Sequence, residues 1–186
     1  MIKTNMAGVD LIFETSDTLF SPKKIDAGTL AMLSKAEFKP DDKVLDLGCG
    51  YGVVGIFAAK LIGPEHVVMS DIAEDAVSIS RKNAILNGVK GISVYESDAL
   101  SGMDDNDFTV ILSNPPYHAD FSVPKRFIEK GFNRLKLGGR MYMVTKRKQW
   151  YFNKFKAIFG GVKLYEVNGY FVFMAIKMDN SYANHK

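Results

Sequence analysis

The sequence is poor in the features that mark secreted, membrane-spanning and repetitive proteins. Cys49 is its one cysteine, which excludes an intramolecular disulfide. No apolar run approaches the ~20 residues of a membrane-spanning helix, and the first residues, MIKTN, lack the layout of a signal peptide. Repeats and low-complexity tracts are also absent. We therefore expect a cytoplasmic protein without membrane contacts, and the 186 residues fit one domain with a substantial core.

Net charge is small, only +3, but it is unevenly distributed along the chain. Residues 37–107 contain thirteen acidic and six basic residues, net −7, whereas residues 123–163 contain twelve basic residues and one acidic residue, net +11. A basic surface of this kind favours a polyanionic partner. Alternatively, these charges are only the solvated faces of two amphipathic helices. Within the basic segment, KRKQWYFNKF (146–155) interleaves bases with aromatic residues as nucleic-acid surfaces do, although its aromatic residues also fit the core face of a helix.

Short apolar runs alternate with helical stretches from residue 43 onward. Strands are predicted at 44–45, 67–69, 92–95, 108–112, 141–144, 162–167 and 170–176, and helices at 52–61, 74–86, 122–135 and 148–159. Asn168-Gly169 favours a tight turn between the last two strands. The order predicts an α/β fold: a doubly wound, mostly parallel seven-stranded sheet covered on both faces, with a C-terminal antiparallel hairpin.

The N-terminal 36 residues precede this alternating pattern as a separate segment with one helix. Ser21 followed by Pro22 predicts the start of that helix, with Ser21 as its N-cap and Pro22 at its first position. The helix then continues through Leu33. We expect residues 1–178 to form a single domain and the polar residues 179–186 to form a flexible tail.

A glycine-rich loop follows the first strand of the alternating pattern, in the sequence KVLDLGCGYGVVGI. Asp46, Gly48, Gly50 and Gly52 alternate here, and glycines allow a tight turn and a close approach of the backbone to a ligand. Residues 50–55 also match G-x-G-x-x-G, which alone is weak evidence for a dinucleotide site. Asp46 argues against that interpretation, because a carboxylate facing a helix N-terminus repels a pyrophosphate and suits a cation. The loop predicts a nucleoside-like, positively charged ligand, and S-adenosylmethionine fits.

Two further acidic residues follow the next two predicted strands. Asp71 comes nineteen residues after Gly52, where an acid reaches ribose hydroxyls, and Asp98 follows the third strand. Either residue alone is also explained as a helix N-cap. Together with Asp46 they place three acids at the carboxyl ends of successive strands, the edge where open α/β sheets bind ligands.

With these residues in place, residues 44–56 resemble motif I of the class I S-adenosylmethionine-dependent methyltransferases, which have a Rossmann-like fold. The resemblance implies that Asp71 binds the ribose, that Ile72 packs on the adenine, and that Asp98 and Ala99 lie beside the adenine amino group. Cys49 is expected to offer a backbone amide to the cofactor. No base stands beside it in the sequence, so we do not expect a nucleophile.

The fourth predicted strand ends in VILSNPPYHADF (110–121), where two consecutive prolines stop the sheet ladder. Asn114-Pro115-Pro116-Tyr117 resembles the N-P-P-Y motif of methyltransferases that modify planar nitrogens. Such an amine is a poor nucleophile, and the Asn114 side-chain oxygen and the Pro115 carbonyl can accept both its hydrogens. The prolines hold that carbonyl rigidly while Tyr117 stacks on the target, and no metal is needed. The alternative is merely a rigid strand exit.

Two stretches narrow the substrate by resemblance. LFSPKKIDAGTLAML (19–33) and NPPYHADF are similar to segments of the small-subunit ribosomal RNA guanine-N2 methyltransferases, and the similarity extends from about residue 8 to residue 176. It implies methyl transfer to guanine N2, with ribosomal RNA or the small ribosomal subunit as partner. His118 then contacts substrate and Phe20 closes over the cofactor, although both also fit packing roles. The best-known members carry an additional domain ahead of the catalytic one, for which this chain has no room, so it resembles the single-domain branch.

Other interpretations stay open at this point. A protein-glutamine methyltransferase acting on release factors, or another nucleic-acid amino methyltransferase, uses the same N-P-P-Y chemistry. The release-factor enzyme gives no reason for the basic segment, and it usually carries a helical recognition domain. An RNA-binding module on a methyltransferase scaffold explains the charge but not the intact motifs. A nicotinamide-dependent enzyme is a further alternative. It is distinguished from a methyltransferase by which of the two cofactors raises the melting temperature of the protein. The oligomeric state does not follow from the sequence.

Overall fold

A computed structural model describes residues 1–17, 23–116 and 120–185. Its strands are β1 (Ile2–Met6), β2 (Val9–Phe13), β3 (Val44–Leu47), β4 (Val67–Asp71), β5 (Ser93–Glu96), β6 (Phe108–Ser113), β7 (Leu135–Thr145), β8 (Lys163–Val167) and β9 (Tyr170–Ile176). Its helices are α1 (Ala27–Leu33), α2 (Val53–Ile62), α3 (Glu74–Leu86), α4 (Ser122–Arg134) and α5 (Gln149–Phe159), with short 3₁₀ helices at Pro64–His66 and Ala183–His185.

Seven of these strands form one sheet in the order β5-β4-β3-β6-β7-β9-β8. Strands β3 to β7 pair in parallel, and β9 runs antiparallel to both β7 and β8. The predicted fold is confirmed, including the hairpin, whose turn residues Asn168 and Gly169 both have positive φ. The chain winds outward from β3 through β4 and β5, then returns to β6 on the other side. This reversal between β3 and β6 creates a crevice at the carboxyl ends of the strands.

Both faces of the sheet are covered, which explains why its central strands are continuous apolar runs. Alternate side chains of β6 enter different cores. Val110 and Leu112 pack in the core that includes Met32 of α1 and Ile56 of α2. Ile111 points to the opposite face and packs in the core beneath α4 and α5. The two faces thus fix the position of β6, the strand that leads to Asn114.

The first helix begins later than predicted. α1 starts at Ala27, and Asp26 is its N-cap, accepting a hydrogen bond from the Thr29 N–H at 2.9 Å. Residues 23–25 before it are not helical. Aspartate caps as well as serine, and an Asp26 ψ of 134° sets the extended backbone that a cap requires. The predicted cap Ser21 and the following Pro22 lie outside the described residues.

The N-terminal segment also contains a β1–β2 hairpin that the sequence analysis did not predict. Two buried asparagines hold it through their side-chain amides, Asn83 of α3 and Asn87, the C-cap of that helix. Asn87 exchanges two hydrogen bonds with the backbone of Ile12, at 3.0 and 2.7 Å, and Asn83 exchanges two with Glu14, at 2.8 and 2.9 Å. These side chains take the place of a neighbouring strand, so the hairpin is attached to the domain without joining the main sheet.

The segment predicted as a flexible tail packs partly onto the domain. Tyr182 lies edge-on to Phe132 with ring centroids 5.1 Å apart, and its hydroxyl donates to the Glu129 carbonyl at 3.4 Å. The packed part of the domain therefore extends past the predicted limit at residue 178. Within the described ranges, none of the helices combines the length and the apolar character needed to cross a bilayer.

Candidate active site

A cavity of about 380 Å³ lies at the carboxyl edge of the sheet, beside the β3–β6 crevice. The turns after β3, β4, β5 and β6 contribute to its wall, together with the N-terminal ends of α1 and α4. Twelve of the thirteen residues predicted for the site fall among the described residues, and all of these except Gly52 line the cavity: Asp46, Gly48, Cys49, Gly50, Asp71, Ile72, Asp98, Ala99, Asn114, Pro115 and Pro116. Tyr117 lies outside the described residues, as do His118 and Phe20.

Hydrogen bonds from β4 hold the glycine loop. The Gly48 and Cys49 N–H groups both donate to the Ser70 carbonyl, at 2.8 and 2.9 Å. Asp71 accepts from the Gly50 N–H at 2.9 Å with one carboxylate oxygen and from the Ala73 N–H at 3.0 Å with the other. Asp71 thus fixes the loop and the turn after β4 relative to one another. The Asp71 carboxylate, which the sequence analysis assigned to the ribose, therefore also contacts the glycine loop.

Gly52 does not line the cavity, and it packs closely at the start of α2. It is the N-cap of α2 with a left-handed φ of +92°, a conformation that glycine adopts without strain. A Cβ at this position would lie 3.1 Å from Ile56 Cδ1 and 3.2 Å from Ser80 Cβ. The sequence analysis identified this position as part of the glycine loop. The space that a side chain would occupy here faces α2 and α3 and not the cavity.

Asp46 is a buried carboxyl group in the floor of the cavity, with 2% of its surface exposed. It accepts the Gly55 N–H at 2.8 Å. Burial raises the pKa of Asp46 to about 7, the Gly55 hydrogen bond offsets part of this rise, and the nearby Asp71 carboxylate adds to it. A buried, ionised carboxyl group without a cationic partner is costly. The site therefore favours a ligand that brings a positive charge next to Asp46.

Cys49 contributes to the wall as a neutral thiol. Burial raises the pKa of the Cys49 thiol well above its ordinary value, and the carboxylates of Asp46 and Asp71 raise it further. A thiol in this environment is a poor nucleophile. Its N–H donates to the Ser70 carbonyl, and the backbone contact from Cys49 to the cofactor stays a prediction.

At the outer part of the cavity, Asp98 forms an ion pair with Arg126 of α4 at 2.7 Å. The hydrogen bond from Arg126 holds the pKa of the Asp98 carboxyl below its usual range. Phe127 packs beside the glycine loop, where a Cβ on Gly48 would lie 3.3 Å from its ring. The sequence analysis missed Arg126 and Phe127 as wall residues. Their only signal was their position in the basic segment a few residues after the N-P-P-Y motif.

The Asn114 amide is held by two residues of α1. Its Nδ2 donates to Asp26 Oδ2 at 2.8 Å and to Thr29 Oγ1 at 3.0 Å, so both N–H bonds are used. Its Oδ1 is buried and has no hydrogen-bond partner among the described residues. The sequence analysis predicted Asn114 but missed Asp26 and Thr29, which are 88 and 85 positions away in the chain. The arrangement leaves one unused acceptor on an immobilised amide in the cavity wall.

The cavity thus combines a buried acid that suits a cation, an acid that binds backbone amides, and an amide oxygen to which no described residue donates. Across the ranges 1–17, 23–116 and 120–185, His, Cys, Asp and Glu side chains form no group of three or more that could hold a metal ion. The chemistry available here is positioning and electrostatic stabilisation of a polar acceptor beside a cationic ligand.

Comparison with known proteins agrees with this geometry. Residues 10–174 match the family model described as "Methyltransferase small domain". The uncharacterized protein YbxB of Bacillus subtilis (strain 168) is 32% identical over 175 residues, which cover 91% of this chain and 87% of that protein. Ribosomal RNA large subunit methyltransferase G of Klebsiella pneumoniae subsp. pneumoniae is 32% identical over 163 residues, covering 84% of this chain.

Among solved structures, the T. thermophilus 16S rRNA N2 G1207 methyltransferase (RsmC), in complex with AdoMet and guanosine, superposes with a TM-score of 0.87 and 25% identity over 95% of this chain. TrmN from Thermus thermophilus superposes with a TM-score of 0.69 and 26% identity over 79% of it. The chain spans 43% of the Klebsiella enzyme and 50% of the RsmC chain. The resemblance identified from the glycine loop and the N-P-P-Y motif is confirmed, and the chain belongs to the methyltransferase small domain family.

Proposed function

We propose that this chain transfers a methyl group from S-adenosylmethionine to an exocyclic amine, and that the amine is guanine N2 of small-subunit ribosomal RNA. The observation that carries the proposal is the Asn114 amide: both of its N–H bonds are used, whereas its buried oxygen has no donor among the residues that the structure describes. The RsmC structure, which is described with AdoMet, guanosine and an N2 specificity, supports the choice of cofactor and base. The Klebsiella relative acts on large-subunit RNA, so the choice of the small subunit is a separate point that the experiment below must test.

The cavity residues divide into two groups around the proposed cofactor. Asp46 lies where a cationic ligand relieves its buried charge, and Gly48 and Gly50 let the loop backbone approach closely. Asp71 accepts one backbone N–H on each carboxylate oxygen, and each oxygen keeps a lone pair that can accept a ribose hydroxyl. Ile72, Asp98 and Ala99 line the part assigned to adenine. Bound S-adenosylmethionine supplies an electrophilic methyl group on a sulfonium.

Asn114 and Pro115 act on the acceptor amine. The amine donates one hydrogen to Asn114 Oδ1 and the other to the Pro115 carbonyl, which turns its lone pair toward the methyl group. Positive charge would develop on the nitrogen during transfer, and both oxygens would stabilise that charge. The N–C bond would form as the S–C bond of the sulfonium breaks, leaving a neutral thioether, and the nitrogen would then release one proton to the solvent.

Asp26 and Thr29 position Asn114. A threonine hydroxyl can either donate or accept, so Thr29 alone fits both orientations of the amide. A carboxylate only accepts, so Asp26 fixes the orientation in which Nδ2 faces α1 and Oδ1 is left for the substrate. The bond to a charged acceptor also polarises the amide and strengthens Oδ1 as an acceptor.

The test is transfer of labelled methyl from S-adenosylmethionine to unmethylated small subunits, large subunits, naked ribosomal RNA, transfer RNA and a release factor. Asn114→Ala runs alongside, with the exposed Asn133→Ala as a matched control. Label in small-subunit RNA, lost in Asn114→Ala and kept in Asn133→Ala, is the expected result, and nucleoside digestion then identifies the base. Label in the release factor only would refute the RNA assignment, and no label in any acceptor would refute methyl transfer to these substrates.

A further inference from the structure

Three consecutive basic residues, Lys146, Arg147 and Lys148, follow β7 directly, and we call them the basic rim. All three are exposed. β7 runs parallel to β6, with Met143 paired to Ser113. Two residues beyond that pair, β7 ends at Thr145 while the neighbouring segment reaches Pro115, so the basic rim lies at the sheet edge that carries Asn114.

The basic rim carries part of the positive charge of residues 123–163. Three other bases of that segment pair with acidic neighbours: Arg126 with Asp98, Lys154 with Glu129, and Arg140 with Asp42 and Glu37. Arg134 donates to backbone carbonyls. In contrast, Arg147 and Lys148 have no acidic side chain within 4 Å in the described part of the chain.

Aromatic rings hold the cations of the basic rim in place. Arg147 lies over the Phe121 ring at 4.9 Å, Lys146 over Tyr170 at 5.1 Å and Lys148 over Phe171 at 5.7 Å. Such cation–π contacts orient the side chains without neutralising them.

Phe121 connects the basic rim to the cavity. It stacks on Trp150 with ring centroids 4.5 Å apart, and it immediately precedes α4, whose Val123 lines the cavity. Of the aromatic residues in 146–155, Tyr151 and Phe155 are buried in the core, whereas Trp150 supports this outer stack. Trp150 and Phe152 are half-buried and also pack against that core, so the core-face interpretation fits these aromatic residues and the nucleic-acid interpretation stays a prediction.

We propose that the basic rim binds phosphates of the RNA strand that flank the nucleotide entering the cavity; this inference depends on the proposed function. Two oriented, unneutralised cations beside the acceptor site match the charge of a nucleic-acid backbone, which contributes most of the affinity and none of the base choice. The basic rim then holds the strand while its base is turned out of a stack into the cavity.

The experiment compares two double variants that remove the same charge. Arg147→Gln with Lys148→Gln alters the basic rim, and Lys136→Gln with Lys156→Gln alters exposed lysines near the opposite end of β7 and in the last turn of α5. Binding of naked ribosomal RNA is measured between about 50 and 200 mM salt, because each lost phosphate contact lowers the slope of log K against log salt by ~0.7 for a single strand. Guanosine binding and RNA methylation kinetics are measured on the same proteins.

The rim variant is expected to lose ~1.4 of the salt slope and to raise KM for RNA with kcat unchanged, while guanosine, which has no phosphate, binds as before. The control variant is expected to match wild type. Equal slopes and equal KM values in both variants would overturn the proposal, as would weaker methylation of a protein acceptor with unchanged RNA binding. Failure of wild type to methylate any RNA counts against the proposed function alone, because the salt slope still reports on the basic rim.

Discussion

Replacing Asp46 by asparagine is expected to stabilise the fold and to abolish cofactor binding. The carboxyl group is buried, and burial raises its pKa from 3.8 to about 7. Above that pH the carboxyl group is ionised, and its buried charge lowers the free energy of unfolding. Asparagine keeps an acceptor for the Gly55 N–H and carries no charge, so it removes the penalty while leaving the α2 contact.

The sign follows from proton binding. The folded state holds the Asp46 proton more tightly than the unfolded chain does, so the free energy of unfolding decreases as pH rises from about 4 to about 7 and then levels off. One pKa unit corresponds to about 1.4 kcal/mol, so a displacement from 3.8 to about 7 corresponds to roughly 4 kcal/mol. For a chain of this size, that is a difference in Tm of roughly 8–16 °C above pH 7.

The assay is thermal unfolding of wild type and Asp46→Asn from about pH 4 to pH 9, with the exposed Asp41→Asn as a control. The Tm difference between wild type and Asp46→Asn should be absent near pH 4 and should grow to its full value near pH 8. S-adenosylmethionine should raise the Tm of wild type and not that of Asp46→Asn. Parallel curves for these two proteins across the whole range would refute the assignment of the raised pKa to Asp46.

Three further predictions follow from particular contacts. In Asp26→Ser, the serine still caps α1 but its side chain is too short to hold Asn114. The kcat should therefore fall roughly 10²-fold, with the KM for S-adenosylmethionine unchanged. An unchanged kcat would contradict the positioning role. Gly55→Ala places a Cβ 2.5 Å from Met69 Cγ, so urea unfolding should show a loss of about 1–3 kcal/mol, and no loss contradicts the packing argument. Cys49 should react with a thiol reagent far more slowly in the folded protein than in urea, because burial raises its pKa; equal rates contradict that.

The local part of the site could be predicted from the sequence because parallel strands bring their carboxyl ends to one edge. Asp46, Asp71, Asp98 and Asn114 each follow a strand, so knowing the strands was enough to place them together. α3 was predicted with its observed bounds, 74–86, because its first turn is acidic and Gly88, with a positive φ, follows its end.

The contacts between distant segments could not be predicted in this way. Asp26 contacts Asn114, which is 88 positions away in the chain, and the sequence around either residue does not indicate the contact. The β1–β2 hairpin was missed for the same reason, since the groups that hold it are the side chains of Asn83 in α3 and of Asn87 at its C-cap. The start of α1 was predicted wrongly because Ser21-Pro22 and Asp26 are competing caps, and tertiary contact with Asn114 favours Asp26.

The buried polar atoms that lack a hydrogen-bond partner among the described residues indicate a ligand site. Among the described residues, two buried side-chain atoms lack a hydrogen-bond partner, Ser70 Oγ and Asn114 Oδ1, and both residues line the cavity. Each such group costs about 1–3 kcal/mol if it stays unpaired, and the buried Asp46 charge adds to that cost. Elsewhere the same chain satisfies buried amides well, as Asn83 does with three hydrogen bonds. Among the described residues these unpaired groups are confined to one cavity, which marks it as a ligand site, so occupation of the cavity should stabilise the fold.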